Sequence, residues 1–177
     1  MPTHTPPHKS PGADPGPEHR LAMCRLAVAE APGVSVCALE IERGGPSYTV
    51  DSLEAIHTIA PRAELTFIVG ADTARTLASW RKPRRLLELA HMAVAARSGS
   101  REREVLDTVA GVLGESPAGA ATADRVRMLE MGPVEASSSM VRHALAAGEP
   151  VEGLVGPGVA AYIAAHGLYP PGAEAIA

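Results

Sequence analysis

The sequence predicts an α/β protein built on a parallel β-sheet. Two short, continuously apolar runs, at residues 65–69 and 92–96, are typical of buried parallel strands. Helical patterns separate these runs, and strands that alternate with helices imply a parallel sheet covered on both faces. Hydrophobic residues make up 46% of the 177 residues and aromatic ones only 3%, so we expect a core of Ala, Leu, Val and Ile.

The first half of the chain reads as helix, strand, helix and strand. Apolar spacing predicts a helix over residues 18–31, stopped by Pro32-Gly33. Period-two alternation of β-branched residues predicts a strand over residues 34–41. A helix opens at Thr49, carries apolar side chains inward and ends before Pro61, and the strand at 65–69 ends at Gly70. The inward positions of this helix are Val50, Leu53, Ile56 and Ile59.

The second half continues the alternation. Helices are predicted at residues 72–79, 83–89 and 102–113, with the strand at 92–96 among them. The remaining predicted elements are a weak strand at 127–131 and helices at 139–147 and 159–166. Residues 1–17 contain six prolines and are predicted to be a loop, residues 18–169 a single domain, and residues 170–177 a tail.

Composition excludes several function classes. The net charge of −4 argues against a surface that wraps nucleic acid. No apolar run reaches the length of about 18–20 residues that a membrane span needs, and the start of the chain has no apolar signal region. Two cysteines cannot form a disulfide framework, which predicts a reducing cytoplasm. His4 and His8 lie in the proline-rich loop, so no metal site is predicted.

Three consecutive serines, Ser137, Ser138 and Ser139, stand where a helix is expected to begin. Their hydroxyls can satisfy backbone N–H groups of the first turn, and such a helix start also binds anions. A simple helix cap needs only one serine. Arg142 favours the anion site, because a cation near the positive end of the helix dipole is unfavourable unless phosphate is bound there.

Weaker candidates follow the other predicted strand and helix boundaries. Gly70 allows close approach to the backbone, while Asp72 either contacts a ribose hydroxyl or caps the next helix. Trp80 is either partly buried packing or a platform for a flat heterocycle. Thr49 is either a plain N-cap or part of a helix start that binds carboxylate or phosphate.

The ordered set of these motifs resembles the bacterial nicotinate-nucleotide adenylyltransferases over residues 2–169. Phosphopantetheine adenylyltransferase, the alternative enzyme, shares the Ser-rich helix start with its arginine but not the other elements. The motifs that carry the resemblance are Pro6-Pro7-His8-Lys9, Pro46-Ser47-Tyr48-Thr49, Gly70-Ala71-Asp72 with Trp80, Ser137-Ser138-Ser139-x-x-Arg142, and Tyr162-Ile163-x-x-x-Gly167-Leu168-Tyr169.

The resemblance implies a Rossmann-like nucleotidyltransferase fold and adenylyl transfer from ATP, with Mg²⁺, to nicotinate mononucleotide. The products are the dinucleotide precursor of NAD and pyrophosphate. The implied partners are these small molecules, without nucleic acid or membrane, and a homo-oligomer is a further hypothesis. The implied ATP-binding residues are Gly70, Asp72, Ser137, Ser138, Ser139 and Arg142. The implied mononucleotide-binding residues are Lys9, Tyr48, Thr49, Trp80 and Arg97.

One family motif is absent from the sequence. The family begins with a strand, a Gly-rich turn bearing His-x-Gly-His, a helix and a second strand, and no His-x-Gly-His occurs here. We therefore assign no catalytic residue, expect impaired turnover and uncovered apolar surface, and expect Met1 to be a mis-assigned start codon. The alternatives are a truncated paralogue that binds nucleotide without turnover and a non-enzymatic interaction module.

Overall fold

The structure is a computed structural model that describes residues 1–5, 14–96, 102–132 and 136–170. Its contacts divide the chain into two compact units, which are described separately. The first unit comprises Met1–Ser47 and Glu135–Ala177, and the second comprises Tyr48–Val134. The single domain over residues 18–169 and the tail after it remain predictions.

Ten α-helices, one 3₁₀ turn and three strands make up the described ranges. In chain order they are α1 (Pro17–Ala27), α2 (Leu39–Arg43), α3 (Thr49–Ile59), β1 (Thr66–Gly70), α4 (Ala71–Ala74), the 3₁₀ turn (Leu77–Ser79), α5 (Pro83–Leu89), β2 (His91–Ala96), α6 (Glu102–Leu113), α7 (Ala120–Arg125), β3 (Val126–Glu130), α8 (Ser138–Ala146), α9 (Glu152–Val155) and α10 (Pro157–Ala165).

The three strands form one parallel sheet in the second unit, as the apolar runs predicted. The order is β1-β2-β3, with Ile68 opposite Ala93 and Ala93 opposite Arg127. At the carboxyl ends, Gly70 lies opposite Ala95. The chain segments that leave these strand ends therefore start from the same edge of the sheet, where ligands bind in open α/β folds.

The core of the second unit is aliphatic, as the composition predicted. Met92 and Val94 of the central strand are completely buried, because side chains of α3, α5 and α6 pack with them in one core cluster. Full burial of such a side chain contributes roughly 1.5–3 kcal/mol. The other side chains of this core cluster are Val50, Leu53, Ala74, Leu77, Leu86, Leu87, Ala90, Val105 and Val109.

Three predicted helices have the expected bounds. Helix α3 begins at Thr49, α5 spans Pro83–Leu89 and α6 spans Glu102–Leu113. Pro83 occupies the first helical position, where its missing N–H has no intrahelical partner to lose. The inward placement of Ile59 is wrong, because this side chain is 74% exposed in the last turn of α3.

The strand predicted at residues 34–41 does not form. Residues 34–38 have no regular structure, and Leu39–Arg43 is the short helix α2. A strand exists only when its backbone pairs with a neighbour, and no segment of the described ranges pairs with residues 34–38. Alternating hydrophobicity alone cannot supply that partner.

Other boundaries also differ from the predictions. The helix predicted at 72–79 is divided into α4 and the 3₁₀ turn, and the loop predicted before residue 124 contains α7. Helix α1 ends at Ala27 rather than residue 31. The weak strand and the last two helices each occur, shifted by one or two residues, which is the usual uncertainty at element ends.

In the first unit, α1 packs against α10. The ring nitrogen Nδ1 of His19 lies 3.0 Å from the Tyr162 hydroxyl, and the centres of the His166 and Tyr162 rings are 4.2 Å apart, with the rings tilted by 37°. A small buried cluster, Ala144, Val151 and Ala160, joins α8 to the C-terminal helices. Aromatic and small aliphatic contacts therefore hold this unit together.

We expect Leu86→Ala to lower the free energy of unfolding by about 2–5 kcal/mol, because Leu86 is completely buried and truncation leaves a cavity. The matched control is Ile59→Ala, which removes an exposed side chain and should change stability by less than about 0.5 kcal/mol. Urea unfolding followed by fluorescence of Trp80, the single tryptophan, measures both. Equal effects would contradict the described core.

Candidate active site

The loop that precedes α3 is tied to the start of the chain. The backbone N–H of Thr5 donates to the Gly45 carbonyl, and the Ser47 N–H donates to the Thr5 carbonyl, at 3.3 and 3.1 Å. The buried Ser47 hydroxyl accepts from the His4 N–H at 3.0 Å. Gly44 and Gly45 both have positive φ, a conformation that glycine adopts without strain. These bonds hold the Pro46-Ser47 segment directly before Tyr48.

Arg20 of α1 also holds the start of the chain in place. Its guanidinium donates to the carbonyls of Thr3 and His4 and forms an ion pair with Asp14 at 3.0 Å. Asp14 also accepts from the Gly16 N–H, immediately before α1 begins. Arg20 is therefore a structural cation, because carbonyl and carboxylate oxygens of the first unit occupy its donors.

Helix α3 opens without a side-chain cap. Tyr48 is the N-cap residue, and its carbonyl accepts from the N–H groups of Asp51 and Ser52 at 3.1 and 3.2 Å. Thr49 is the first helical residue, so the N-cap alternative for Thr49 is wrong. The first N–H groups of any helix lack intrahelical acceptors, and together they attract an anion.

Arg81, the residue after Trp80, lies beside the start of α3. The Trp80 indole N–H donates to the Thr76 hydroxyl at 2.9 Å, and its ring is 6.4 Å from the Phe67 ring. The Arg81 guanidinium carbon lies 4.7 Å from the centre of the Tyr48 ring, and Arg81 Nη1 lies 3.5 Å from Asp51 Oδ2. The structure thus brings Tyr48, the opening of α3 and the Trp80 region together within the second unit.

Sequence reasoning missed Arg81. The signal available for it was a cation directly after an aromatic residue, since a guanidinium packs favourably over an aromatic ring. Tyr48, which the resemblance did include, provides the ring over which this guanidinium lies. The contact itself links residues more than thirty positions apart and needs the tertiary structure.

The end of β1 carries Gly70 and Asp72. No heavy atom lies within 4 Å of the position that a Gly70 Cβ would take, so the backbone there is open. Gly70 is the N-cap residue of α4 and Asp72 lies in its first turn, so Asp72 is not the N-cap of this helix. Asp72 is instead 3.4 Å from Arg75, which also contacts Glu104 at 2.6 Å.

The Ser-rich segment opens α8 in the first unit. Ser137 is the N-cap residue, and its hydroxyl accepts from the Met140 N–H at 3.2 Å. One serine therefore supplies the cap, while Ser138 and Ser139 are exposed in the first turn. Arg142 lies in the second turn rather than the first, and its Nη2 is 3.4 Å from the Ser139 hydroxyl. The guanidinium and this hydroxyl are thus neighbours at the helix start.

Tyr169 lies within electrostatic reach of Arg142. Burial raises the pKa of the Tyr169 hydroxyl, and the Asp14 carboxylate raises it further. The positive charges of Arg142 and Arg20 act in the opposite direction on the same pKa. Tyr169 also has a left-handed backbone, with φ of 56°. The end of the described chain therefore contributes to the surroundings of Arg142.

The predicted site residues fall into three groups. Tyr48, Thr49, Trp80, Gly70 and Asp72 belong to the second unit. Ser137, Ser138, Ser139 and Arg142 belong to the first. Lys9 and Arg97 lie outside the described residues, as do the other three residues of the Pro6-Pro7-His8-Lys9 motif.

No group of three or more His, Cys, Asp or Glu side chains lies close enough to hold a metal ion in the described ranges. In the same ranges, every helix is too short or too polar to cross a bilayer.

Comparison with known proteins identifies the class first. A sequence profile described as cytidylyltransferase-like matches residues 1–144. A solved Plasmodium falciparum nicotinic acid mononucleotide adenylyltransferase complexed with NaAD has the same fold. It aligns with a TM-score of 0.61 at 17% identity, over 86% of this chain and 73% of that one. The protein is thus a nucleotidyltransferase with a cytidylyltransferase-like α/β fold.

Curated relatives narrow the class to a family. The Aeromonas salmonicida protein named probable nicotinate-nucleotide adenylyltransferase is 38% identical, over 96% of this chain and 81% of its own length. The Herpetosiphon aurantiacus protein of the same name is 40% identical, over 85% of this chain and 72% of its own length. The chain belongs to the nicotinate-nucleotide adenylyltransferase family.

The serines of the α8 start should have separable roles. We expect Ser137→Ala to destabilise the protein by about 1 kcal/mol, because the Met140 N–H loses its acceptor. Ser138→Ala is the matched control and should change thermal stability little, because Ser138 is exposed and is not the cap. Thermal unfolding of both variants measures the difference. A larger loss for Ser138→Ala would contradict the assignment of the cap.

Proposed function

We propose that the chain transfers the adenylyl group of ATP to the phosphate of nicotinate mononucleotide, in NAD biosynthesis. The mononucleotide phosphate attacks the α-phosphorus of ATP, and the bond to the β-phosphate oxygen breaks with release of pyrophosphate. The observation that carries the proposal is the start of α8, where Arg142 lies beside the Ser139 hydroxyl in a member of this family. Such a reaction needs positioning and charge neutralisation rather than a covalent intermediate.

The start of α8 is the proposed site for the ATP phosphates. Ser138 and Ser139 have exposed hydroxyls, and the first-turn N–H groups add the positive end of the helix dipole. Arg142 adds a full positive charge that stabilises the charge developing on the phosphates in the transition state. Ser137 contributes mainly by holding the helix start in shape, since its hydroxyl already caps α8.

The proposed adenosine-side residues are Gly70 and Asp72. The open backbone at Gly70 lets a nucleotide approach the carboxyl end of β1 closely. The Asp72 carboxylate is largely exposed and can accept a hydrogen bond from a ribose hydroxyl. Its contact with Arg75 orients that carboxylate at the strand end.

The start of α3 with Trp80 is the proposed site for the nicotinate ring. The indole ring offers a flat apolar face, and the N–H groups at the start of α3 can bind the nicotinate carboxylate. Arg81 adds a positive charge at Tyr48. Lys9 and Arg97 are proposed to contact the mononucleotide phosphate. In solved structures, the Plasmodium falciparum enzyme is complexed with NaAD and with APC.

Mg²⁺ is proposed to enter with ATP as part of the substrate. Mg²⁺ usually retains water ligands and binds through substrate phosphates with one or two carboxylates, rather than in an all-protein cage. A cytoplasmic location and a homo-oligomer stay predictions. Because the 177 residues contain no His-x-Gly-His, ligand binding is the primary readout of the function and pyrophosphate release is the second.

Calorimetric titration of ATP with Mg²⁺ tests the phosphate site. We expect Arg142→Ala to weaken ATP binding about 10–100-fold, because one charge-assisted hydrogen bond contributes roughly 1.5–3 kcal/mol. Arg25→Ala is the matched control, since Arg25 is an exposed arginine of the same unit on α1. Unchanged binding in Arg142→Ala would remove this residue from the site. Binding of both substrates without pyrophosphate release would indicate the non-catalytic paralogue.

Titration of nicotinate mononucleotide tests the ring site. We expect Trp80→Ala to weaken its binding about 5–100-fold, because base stacking on an aromatic side chain contributes roughly 1–3 kcal/mol. Trp80→Phe keeps a ring against the core and should retain most of the affinity. Affinity for ATP should stay the same in both variants. Equal losses for ATP and the mononucleotide would indicate a packing role for Trp80.

A further inference from the structure

A wide, shallow cavity of about 760 Å³, largely open to solvent, lies in the second unit between α5, the 3₁₀ turn and α6. Its volume is in the range of sites that hold small organic ligands. Of its lining residues, Arg75 alone also serves the proposed active site, through its contact with Asp72. Ala78, Pro83, Gly111 and Val112 provide apolar surface, and charged side chains of α5 and α6 complete the lining.

Four of the lining side chains are cations, but two of these already form ion pairs with carboxylates of the protein. Arg75 contacts Asp72 and Glu104, and Arg85 contacts Glu54 and Glu88. These arginines are therefore neutralised by carboxylates of the fold. The charge available to a ligand must come from the other two cations, Lys82 and Arg84.

Lys82 and Arg84 have few carboxylate partners within the described residues. Lys82 makes no ion pair there, and Arg84 approaches only Glu88, at 3.9 Å, while Arg85 contacts the same carboxylate at 3.1 Å. Lys82 also has a left-handed backbone, with φ of 48° directly before Pro83. A non-glycine residue before proline adopts this conformation at a cost in free energy. Residues held in this way are concentrated at functional sites.

Gly111 keeps part of the cavity wall open. It lies inside α6, where glycine destabilises a helix relative to alanine. No heavy atom lies within 4 Å of the position that its Cβ would take, so a side chain there would extend into space. One turn earlier on α6, the exposed Asp107 presents a carboxylate to the same cavity.

We propose that this cavity binds a phosphorylated riboside, a second small-molecule site separate from the proposed active site. The two available cations match the two negative charges of a phosphate monoester. The Asp107 carboxylate accepts hydrogen bonds from sugar hydroxyls, while the apolar surface at Val112 and Gly111 packs against a flat ring. An acidic protein surface fits less well, because the cations line a concavity of ligand size.

The test is calorimetric titration of AMP into the Arg142→Ala protein, in which the proposed ATP-phosphate site is weakened. We expect one AMP to bind per chain, with an affinity that falls as the KCl concentration rises. Lys82→Ala combined with Arg84→Ala should weaken binding at least tenfold. Arg103→Ala, an exposed arginine of α6 outside the cavity, is the matched control and should have no effect.

A cavity-filling variant gives an independent readout. Gly111→Leu should abolish AMP binding while raising the melting temperature, because leucine is a better helix former and points into open space. If the Gly111→Leu protein does not fold, the smaller substitution Gly111→Ala is the variant to measure. Adenosine lacks the phosphate and ribose 5-phosphate lacks the base. Each should bind at least tenfold more weakly than AMP.

Three outcomes would overturn the proposal. The first is AMP binding that is unaffected by the Lys82 and Arg84 double substitution, and the second is the absence of AMP binding in the Arg142→Ala protein. The third is inorganic phosphate binding as tightly as AMP, which would indicate an anion site without recognition of a riboside. Each outcome leaves the proposed function standing, because that function is tested through ATP and nicotinate mononucleotide at other residues.

Discussion

Parallel pairing of β1, β2 and β3 is the constraint on which the second unit depends. β2 is bonded on both sides and lies in the centre of the sheet. Helix side chains cover it there, and the aliphatic core forms around Met92 and Val94. The same register places Gly70 opposite Ala95, so the segments that follow the strands leave from one edge. The local sequence supplies Gly70 and Asp72, and the strand register places them at that edge.

The arginines divide into those that stabilise the fold and those that can meet a ligand. Arg20 is occupied by carbonyls and Asp14, while Arg75 and Arg85 are each held by two carboxylates. The ion pairs of Arg75 and Arg85 are exposed and contribute little to stability, so their main effect is to fix side chains in place. Arg142 lies beside a serine hydroxyl at a helix start, where backbone N–H groups can also bind an anion. Arginine content alone cannot separate these roles, since each depends on what surrounds the guanidinium.

Much of the candidate site could be predicted from the sequence, because its motifs are local. The Ser-rich opening of α8 follows from capping chemistry over three residues, and the start of α3 at Thr49 follows from helical spacing. What could not be predicted is which serine caps, where Arg142 lies on the helix, and that Arg81 lies over Tyr48. These are matters of rotamer and of long-range packing. The residues near the mononucleotide phosphate, Lys9 and Arg97, stay predictions.

By itself, the sequence determined the helices and strands whose apolar pattern and end signals lie within a short stretch of residues. Buried strands β1 and β2 and helices α3, α5 and α6 are of this kind, since apolar periodicity and proline positions act locally. The tertiary structure alone decided residues 34–41, where an alternating pattern formed a loop and helix α2 because a strand also needs a bonded neighbour. It also decided the cavity between α5 and α6, because a concave surface is a property of how helices pack and leaves no signature in either helix.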